Sequence, residues 1–161
     1  MVGLTITISV MRDSFGGGLE TSFQLSPKNV VERFCELDAK GLRLSSDTRR
    51  EIDKLLAWGE EEGYDEMVVI KAFKVNKEEI RKSSATVSVE YHLLGLTDSF
   101  EFTGVSDKIR VVNFRLERKD GLWKIKDPII APHVNWRNAI NHLRLLQRDE
   151  PSRKKQLEGI I

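Results

Sequence analysis

The sequence predicts an α+β domain, with a helical N-terminal half, an antiparallel sheet after it and one more helix at the end. Three observations carry this. Ser26-Pro27 opens a run of apolar residues at helical spacing, the apolar period falls to two from Met67 onward, and Asp120-Gly121 joins two alternating runs. A chain of 161 residues has the length of one domain and should bury roughly 70% of the surface its unfolded form exposes.

Helix one starts with Ser26 as its cap and Pro27 in the first turn, where the missing N–H leaves no bond unmade. Val30, Val31, Phe34 and Leu37 then make one apolar stripe, and Gly41 is placed to end the helix. A second start at Ser46-Asp47 leads into Ile52, Leu55 and Leu56 with Gly59 behind them. The acidic run 60–62 reads as a solvated helix end. Cys35 lies beside Phe34 without cationic neighbours, which fits a buried, inert thiol better than a reactive one.

The sheet is expected from strands at 67–75, 83–94 and 109–119, with a turn-rich stretch at 95–108 that carries Phe100 and Phe102 and has room for a short strand. In the second strand Ala85, Val87, Val89, Tyr91 and Leu93 share the core side, and Ser84, Thr86, Ser88, Glu90 and His92 the polar side. Asp120-Gly121 suits a two-residue type I′ turn, which needs positive φ at both positions. That turn sets a register in which Leu116 opposes Ile125, Val112 opposes Ile129 and Glu117 pairs with Lys124. The same count puts Arg118 beside Trp123, as a cation–π pair, and Phe114 beside Asp127. After Pro128 and Pro132 a last helix is expected over 135–148, with Trp136, Ala139, Ile140, Leu143 and Leu146 on one face.

Composition narrows the function classes. Lys plus Arg number 26 and Asp plus Glu 25, so a formal charge of +1 gives no field to draw in nucleic acid or an anionic membrane. The basic run Arg153-Lys154-Lys155 has no interleaved aromatics to stack on bases. A single cysteine excludes an internal disulfide and a thiolate zinc cluster, and the three scattered histidines have no metal-ligand spacing. Neither a phosphate loop, a dinucleotide fingerprint nor a nucleophile elbow occurs. No cofactor, no metal, no nucleic acid and no membrane are therefore expected. The apolar alternation at 4–10 is too short to span a bilayer and lacks a basic flank or a cleavage signal. Residues 1–25 read as a leader or a short strand, 26–150 as the domain and 151–161 as a polar tail, with the compartment left open.

Two N-terminal helices, a meander of long strands and the late hairpin Leu116-Glu117-Arg118-Lys119-Asp120-Gly121-Leu122-Trp123-Lys124-Ile125 resemble the nuclear transport factor two-like superfamily. The resemblance covers roughly residues 26–128. It implies a cone: N-terminal helices packed in a strongly curved antiparallel sheet, here with an additional C-terminal helix that either plugs the cone or extends the fold. It also implies a pocket but no particular reaction, since the superfamily holds isomerases, cyclases, hydrolases, dehydratases and non-catalytic binding or adaptor domains.

For that pocket the sequence offers Phe34, Phe73, Phe114 and Trp123 as the wall for a small apolar or amphipathic molecule. Parity puts Asp127 on the core side with Trp123 and Ile125, as a candidate proton-transfer base; against this, Asp127-Pro128 is an ordinary surface strand end, since Asp and Pro are common turn formers. Tyr91 is either a hydrogen-bond donor to a ligand oxygen or a core filler, and His133 a partner at the pocket mouth. These three do not complete a catalytic set. The chain reads first as a pocket protein, with an isomerase, dehydratase or cyclase using Asp127, and an association domain, as alternatives. A homodimer through the outer sheet face is also expected, because Ser84, Thr86 and Ser88 let another sheet approach closely while Glu90, His92, Asn113, Arg115 and Glu117 surround them.

Overall fold

In a computed structural model the described residues are 25–59, 64, 66–98, 101–149 and 158–160. The leader up to residue 24, the acidic run 60–63, Phe100 and the basic run of the tail lie outside them. Ser26 caps α1 (Pro27–Ala39), its hydroxyl accepting from the Asn29 N–H at 3.1 Å. The helix gives way at Gly41, whose φ of 83° is left-handed backbone that a side chain would resist. Its buried face holds the expected stripe and also Cys35 and Asp38.

The second helix is much shorter than its sequence suggests. The chain makes a 3-10 turn (Leu42–Leu44) and then one helical turn, α2 (Arg50–Asp53). Past that turn the Leu55 carbonyl accepts from Ile125 and the Ala57 N–H donates to it, both at 2.8 Å. The segment thus lies along the sheet edge rather than winding on, while Ile52 and Leu56 keep their burial.

Five strands follow: β1 (Met67–Arg81), β2 (Ser84–Thr97), β3 (Phe102–Lys119), β4 (Leu122–Asp127) and β5 (His133–Asn135), with α3 (Trp136–Asp149) last. They lie in the order β4-β3-β2-β1-β5, antiparallel except for β5, which runs parallel to β1 and had no sequence signal. The sheet is strongly curled around α1, and bulges in β1 and β2 accompany the bend. The turn-rich stretch does hold strand: its second half, 102–108, belongs to β3, whose Gly104 faces Gly95 across a bulge. The ring of Phe102 lies over Gly95, where any Cβ would meet it at 2.3 Å.

The hairpin is as expected, with φ of 52° at Asp120 and 78° at Gly121 and with Lys119 facing Leu122. Leu116 opposes Ile125 and Glu117 opposes Lys124. Other expected pairings differ. Glu117 makes its ion pair with Lys126 at 2.8 Å, because the Lys124 ammonium reaches the Lys54 carbonyl instead. Ile129 does not face Val112, since β4 ends at Asp127 and leaves Ile129 exposed.

Two apolar clusters result. One fills the inside of the curl between α1, α2 and the inner faces of β1 to β4. The other joins Met67, Val69 and Val134 to Ala139 and Leu143 of α3, with Phe102 and Ile160 packed against it. The four-residue run Met67-Val68-Val69-Ile70 is buried throughout because Val68 and Ile70 serve the first cluster while Met67 and Val69 serve the second. Thus α3 extends the fold on the outer face of the sheet and does not plug the cone.

Candidate functional site

Two places collect chemistry-bearing side chains. The first is inside the curl, where α1 brings Cys35 and Asp38, the 3-10 turn Arg43, β2 Tyr91 and β5 His133. The Tyr91 hydroxyl and the Cys35 sulfur lie 3.1 Å apart, sharing one hydrogen bond. Burial pushes the Cys35 thiol up to about 12, and burial also raises the Tyr91 hydroxyl well above the ordinary tyrosine value. Both stay protonated, which leaves neither as a nucleophile near neutral pH.

Asp38 ties this interior together. Its Oδ2 accepts from Arg43 at 3.3 Å and from the His133 backbone N–H at 3.0 Å, while Arg43 also donates to the Ile130 carbonyl at 2.7 Å. The pair is enclosed, with each side chain 1% exposed, so its partners must all be supplied from within. The guanidinium of Arg43 lies 5.5 Å from the Phe34 ring centre. His133 stacks obliquely on Tyr91, ring centres 4.3 Å apart. Its Nδ1 donates to the Ala131 carbonyl at 2.7 Å, which fixes the neutral tautomer and leaves Nε2 a buried acceptor without a hydrogen-bond partner among the described residues. Burial, helped by the positive charges of Arg110 and Arg43, lowers His133 to about 4.

The aromatic candidates are part of the same packing. Phe34 and Phe114 meet edge to face at 5.5 Å, and Phe73 and Tyr91 lie 6.4 Å apart. Trp123 is buried beneath Arg118, whose guanidinium lies 5.2 Å from the ring centre. Phe34, Tyr91 and Phe114 are enclosed by protein, whereas Phe73 is half-buried.

Asp127 stands apart from Tyr91 and His133. Between Ile125, which faces Leu116, and Asp127, which faces Arg115, β4 carries one extra residue, Lys126. That bulge reverses the side on which Asp127 emerges, so it neighbours Arg115 on the outer face rather than Phe114 on the inner one. Its carboxylate accepts from the Arg115 Nε. Strict alternation from Trp123 could not reveal this, because a bulge leaves no mark in the apolar pattern. Asp38 did have a signal: it follows Phe34 by four residues and therefore lies on the buried stripe of α1. Arg43 had none.

The second place is on the outer face. A groove of about 480 Å³ opens there among Glu79, Arg81, Ser84, Thr86, Arg115, Glu117, Lys126 and Asp127. Ser84 and Thr86 form its floor, and the charged side chains of β1, β3 and β4 its walls. Further along the face Ile109 and Val111 are each 55% exposed. Among the described residues no three His, Cys, Asp or Glu side chains gather as a metal site requires, and no helix is long and apolar enough to cross a membrane.

No family model and no curated protein match the chain. Among solved structures it is similar to a protein of Campylobacter jejuni described as a nuclear transport factor two-like transpeptidase, with 13% identity over 65% of this chain and 100% of that one, at a TM-score of 0.35. A de novo designed protein with a curved β-sheet is similar at 14% identity over 62% of this chain and 86% of the design, at a TM-score of 0.29. Likenesses this loose assign neither family nor activity.

Proposed function

We propose that the chain is a non-catalytic association domain of the nuclear transport factor two-like kind, working through the outer face of its sheet as a two-fold dimer. The observation that carries this reading is the division of labour between the two faces. Inside, the aromatic and polar groups engage one another. Outside, an open groove with a floor of small residues and walls of both charges lies beside two exposed aliphatic side chains, Ile109 and Val111. A Ser/Thr floor lets a second sheet approach closely, and mixed charges suit a surface that must meet its own copy. Light scattering at micromolar concentration is expected to give twice the chain mass, and the Thr86→Arg, Ser88→Arg double variant the single mass. A monomer in the first measurement, or a dimer in the second, overturns the reading.

A second reading keeps the inner cluster as a pocket for a small apolar or amphipathic molecule. It is favoured by the buried His133 Nε2, which a ligand hydroxyl or amide could satisfy, and by the half-buried Phe73, whose ring lies 6.4 Å from that of Tyr91. Native mass spectrometry of gently purified protein, followed by a thermal-shift screen of hydrophobic ligands, tests it. Protein that carries no added mass and no ligand that raises the melting temperature would remove this reading.

A further inference from the structure

The turns of the two hairpins, β1–β2 and β3–β4, stand side by side at one end of the sheet. Arg81 faces Ser84 across Lys82-Ser83, Lys119 faces Leu122 across Asp120-Gly121, and Ser84 of β2 faces Glu117 of β3. The Arg118 N–H donates to the Ser83 carbonyl at 3.0 Å, which ties one turn to the other. The N-terminus of α1 lies at this end as well. Its Lys28 N–H donates to Glu78, late in β1, at 2.7 Å, whereas Asp38 in its last turn holds His133 beside the start of β1. Helix and strand therefore run in opposite directions, and Leu25, ahead of the Ser26 cap, stands at the same end as the turns.

The near-zero net charge of the whole chain conceals an imbalance here. Residues 80–84 and 117–124 hold five cations and two carboxylates. Glu117 is taken by Lys126, Lys124 reaches the Lys54 carbonyl, and Arg81 lines the outer groove. Lys82, Arg118 and Lys119 stay exposed and make no ion pair among the described residues, with Arg118 lying over the Trp123 ring. Three of the large apolar side chains that remain exposed, Leu25, Ile80 and Leu122, belong to this same end. Unpaired cations at a turn are ordinary, and so is a lone exposed leucine; their meeting at one end of a domain marks a contact surface.

We propose that this end of the domain docks on an anionic lipid surface. The cations match the headgroup phosphates, each strengthening the contact about fivefold near such a surface. By the strand register the Asp120-Gly121 turn projects about two residues, or roughly 7 Å, beyond the Lys82-Ser83 turn, so Leu122 at its base enters the interface first. The aliphatic side chains are spread over separate elements rather than gathered in a groove. A fluid interface closes around each of them, whereas a protein partner would need a fitted hollow for each. Nucleic acid fits less well, because Trp123, the aromatic residue beside the cations, is buried and offers no ring for a base to stack on. The contact goes beyond the association reading and leaves Thr86 and Ser88 of the outer face free.

Sedimentation of the full chain with vesicles tests the docking. The chain should bind vesicles made of equal parts phosphatidylcholine and phosphatidylglycerol and should leave pure phosphatidylcholine vesicles unbound. Lys82→Glu with Lys119→Glu should lower the partition coefficient at least about tenfold, since two attractive charges become repulsive. Leu122→Ser should lower it about threefold or more without changing its salt dependence, which a purely ionic contact would not show. Arg144→Glu with Arg148→Glu, reversing exposed cations of α3 instead, should change it by less than about threefold. Circular dichroism confirms that each variant is folded. Failure to bind the mixed vesicles, or equal binding to both kinds, overturns the proposal. Binding that the α3 variant abolishes and the turn variants leave intact overturns it too. Binding indifferent to Leu122→Ser, together with tighter binding to single-stranded RNA, overturns it in favour of nucleic acid.

Discussion

At the scale of single residues the interior is organised by groups the apolar pattern does not announce. Asp38 and Arg43 are buried together, and the Asp38 carboxylate also holds the backbone entering β5, so one ion pair joins α1, the 3-10 turn and the last strand. His133 sits at the end of this network with a bare Nε2. Burial holds its pKa near 4 in the folded chain, against an ordinary value of 6.5. Between those values the unfolded chain binds more protons than the folded one, so stability falls as pH drops from about 6.5 to about 4 and this contribution levels off below. A depression of this size corresponds to a loss on the order of 3 kcal/mol. Urea unfolding of the parent and of His133→Asn across that window checks it. The variant is expected to be less stable near neutral pH, with the gap narrowing toward pH 4 because it lacks this part of the slope, and equal slopes in the two proteins would refute the assignment.

Individual elements were legible where local chemistry decides them and obscure where a distant strand does. The Ser26 cap, the Gly41 stop, the alternation of β2 and the Asp120-Gly121 turn depend on neighbours in sequence, and each could be read directly. The second helix depends instead on Ile125, almost seventy residues away, whose backbone captures Leu55 and Ala57. Asp127 depends on the Lys126 bulge, which moves it from the face alternation assigns to the opposite one. The candidate site was accordingly half legible: Tyr91 and His133 meet, whereas Asp127 does not join them. The 95–108 stretch misleads because glycine usually marks a turn, while Gly95 here makes room for an aromatic ring inside a sheet. A Cβ at Gly95 would stand 2.3 Å from the Phe102 ring and 2.6 Å from the Thr103 carbonyl oxygen. Gly95→Ala should therefore cost about 1–3 kcal/mol as overpacking. Gly59→Ala, with nothing within 4 Å of the added carbon, should stay within about 0.5 kcal/mol. Chemical denaturation of both variants makes the comparison, and equal stabilities would show that the ring moves aside freely.

At the scale of the whole molecule the two apolar clusters lie on opposite faces of β1 and share no buried side chain. The inner one draws on α1, α2 and four strands, so opening it means taking the curled sheet apart. The outer one joins α3 and β5 to the start of β1, with hydrogen bonds such as the one from Asn138 to the Ala39 carbonyl at 2.9 Å bridging the two regions. Since His133 of β5 is held by Asp38 and Tyr91 of the inner region while α3 packs in the outer cluster, α3 is expected to detach while β1 to β5 remain paired. Leu116 and Leu143 are buried alike, one in each cluster, and truncating either to alanine should cost about 2–5 kcal/mol of local stability. The consequences should differ in extent. Leu116→Ala is expected to speed amide exchange across the whole domain, because its cluster opens only in global unfolding. Leu143→Ala should speed exchange in α3 while the slowest amides of β2 and β3 keep their parental rates. Hydrogen-exchange mass spectrometry with peptide resolution distinguishes these patterns, and uniform acceleration in Leu143→Ala would mean that the two clusters open as one cooperative unit.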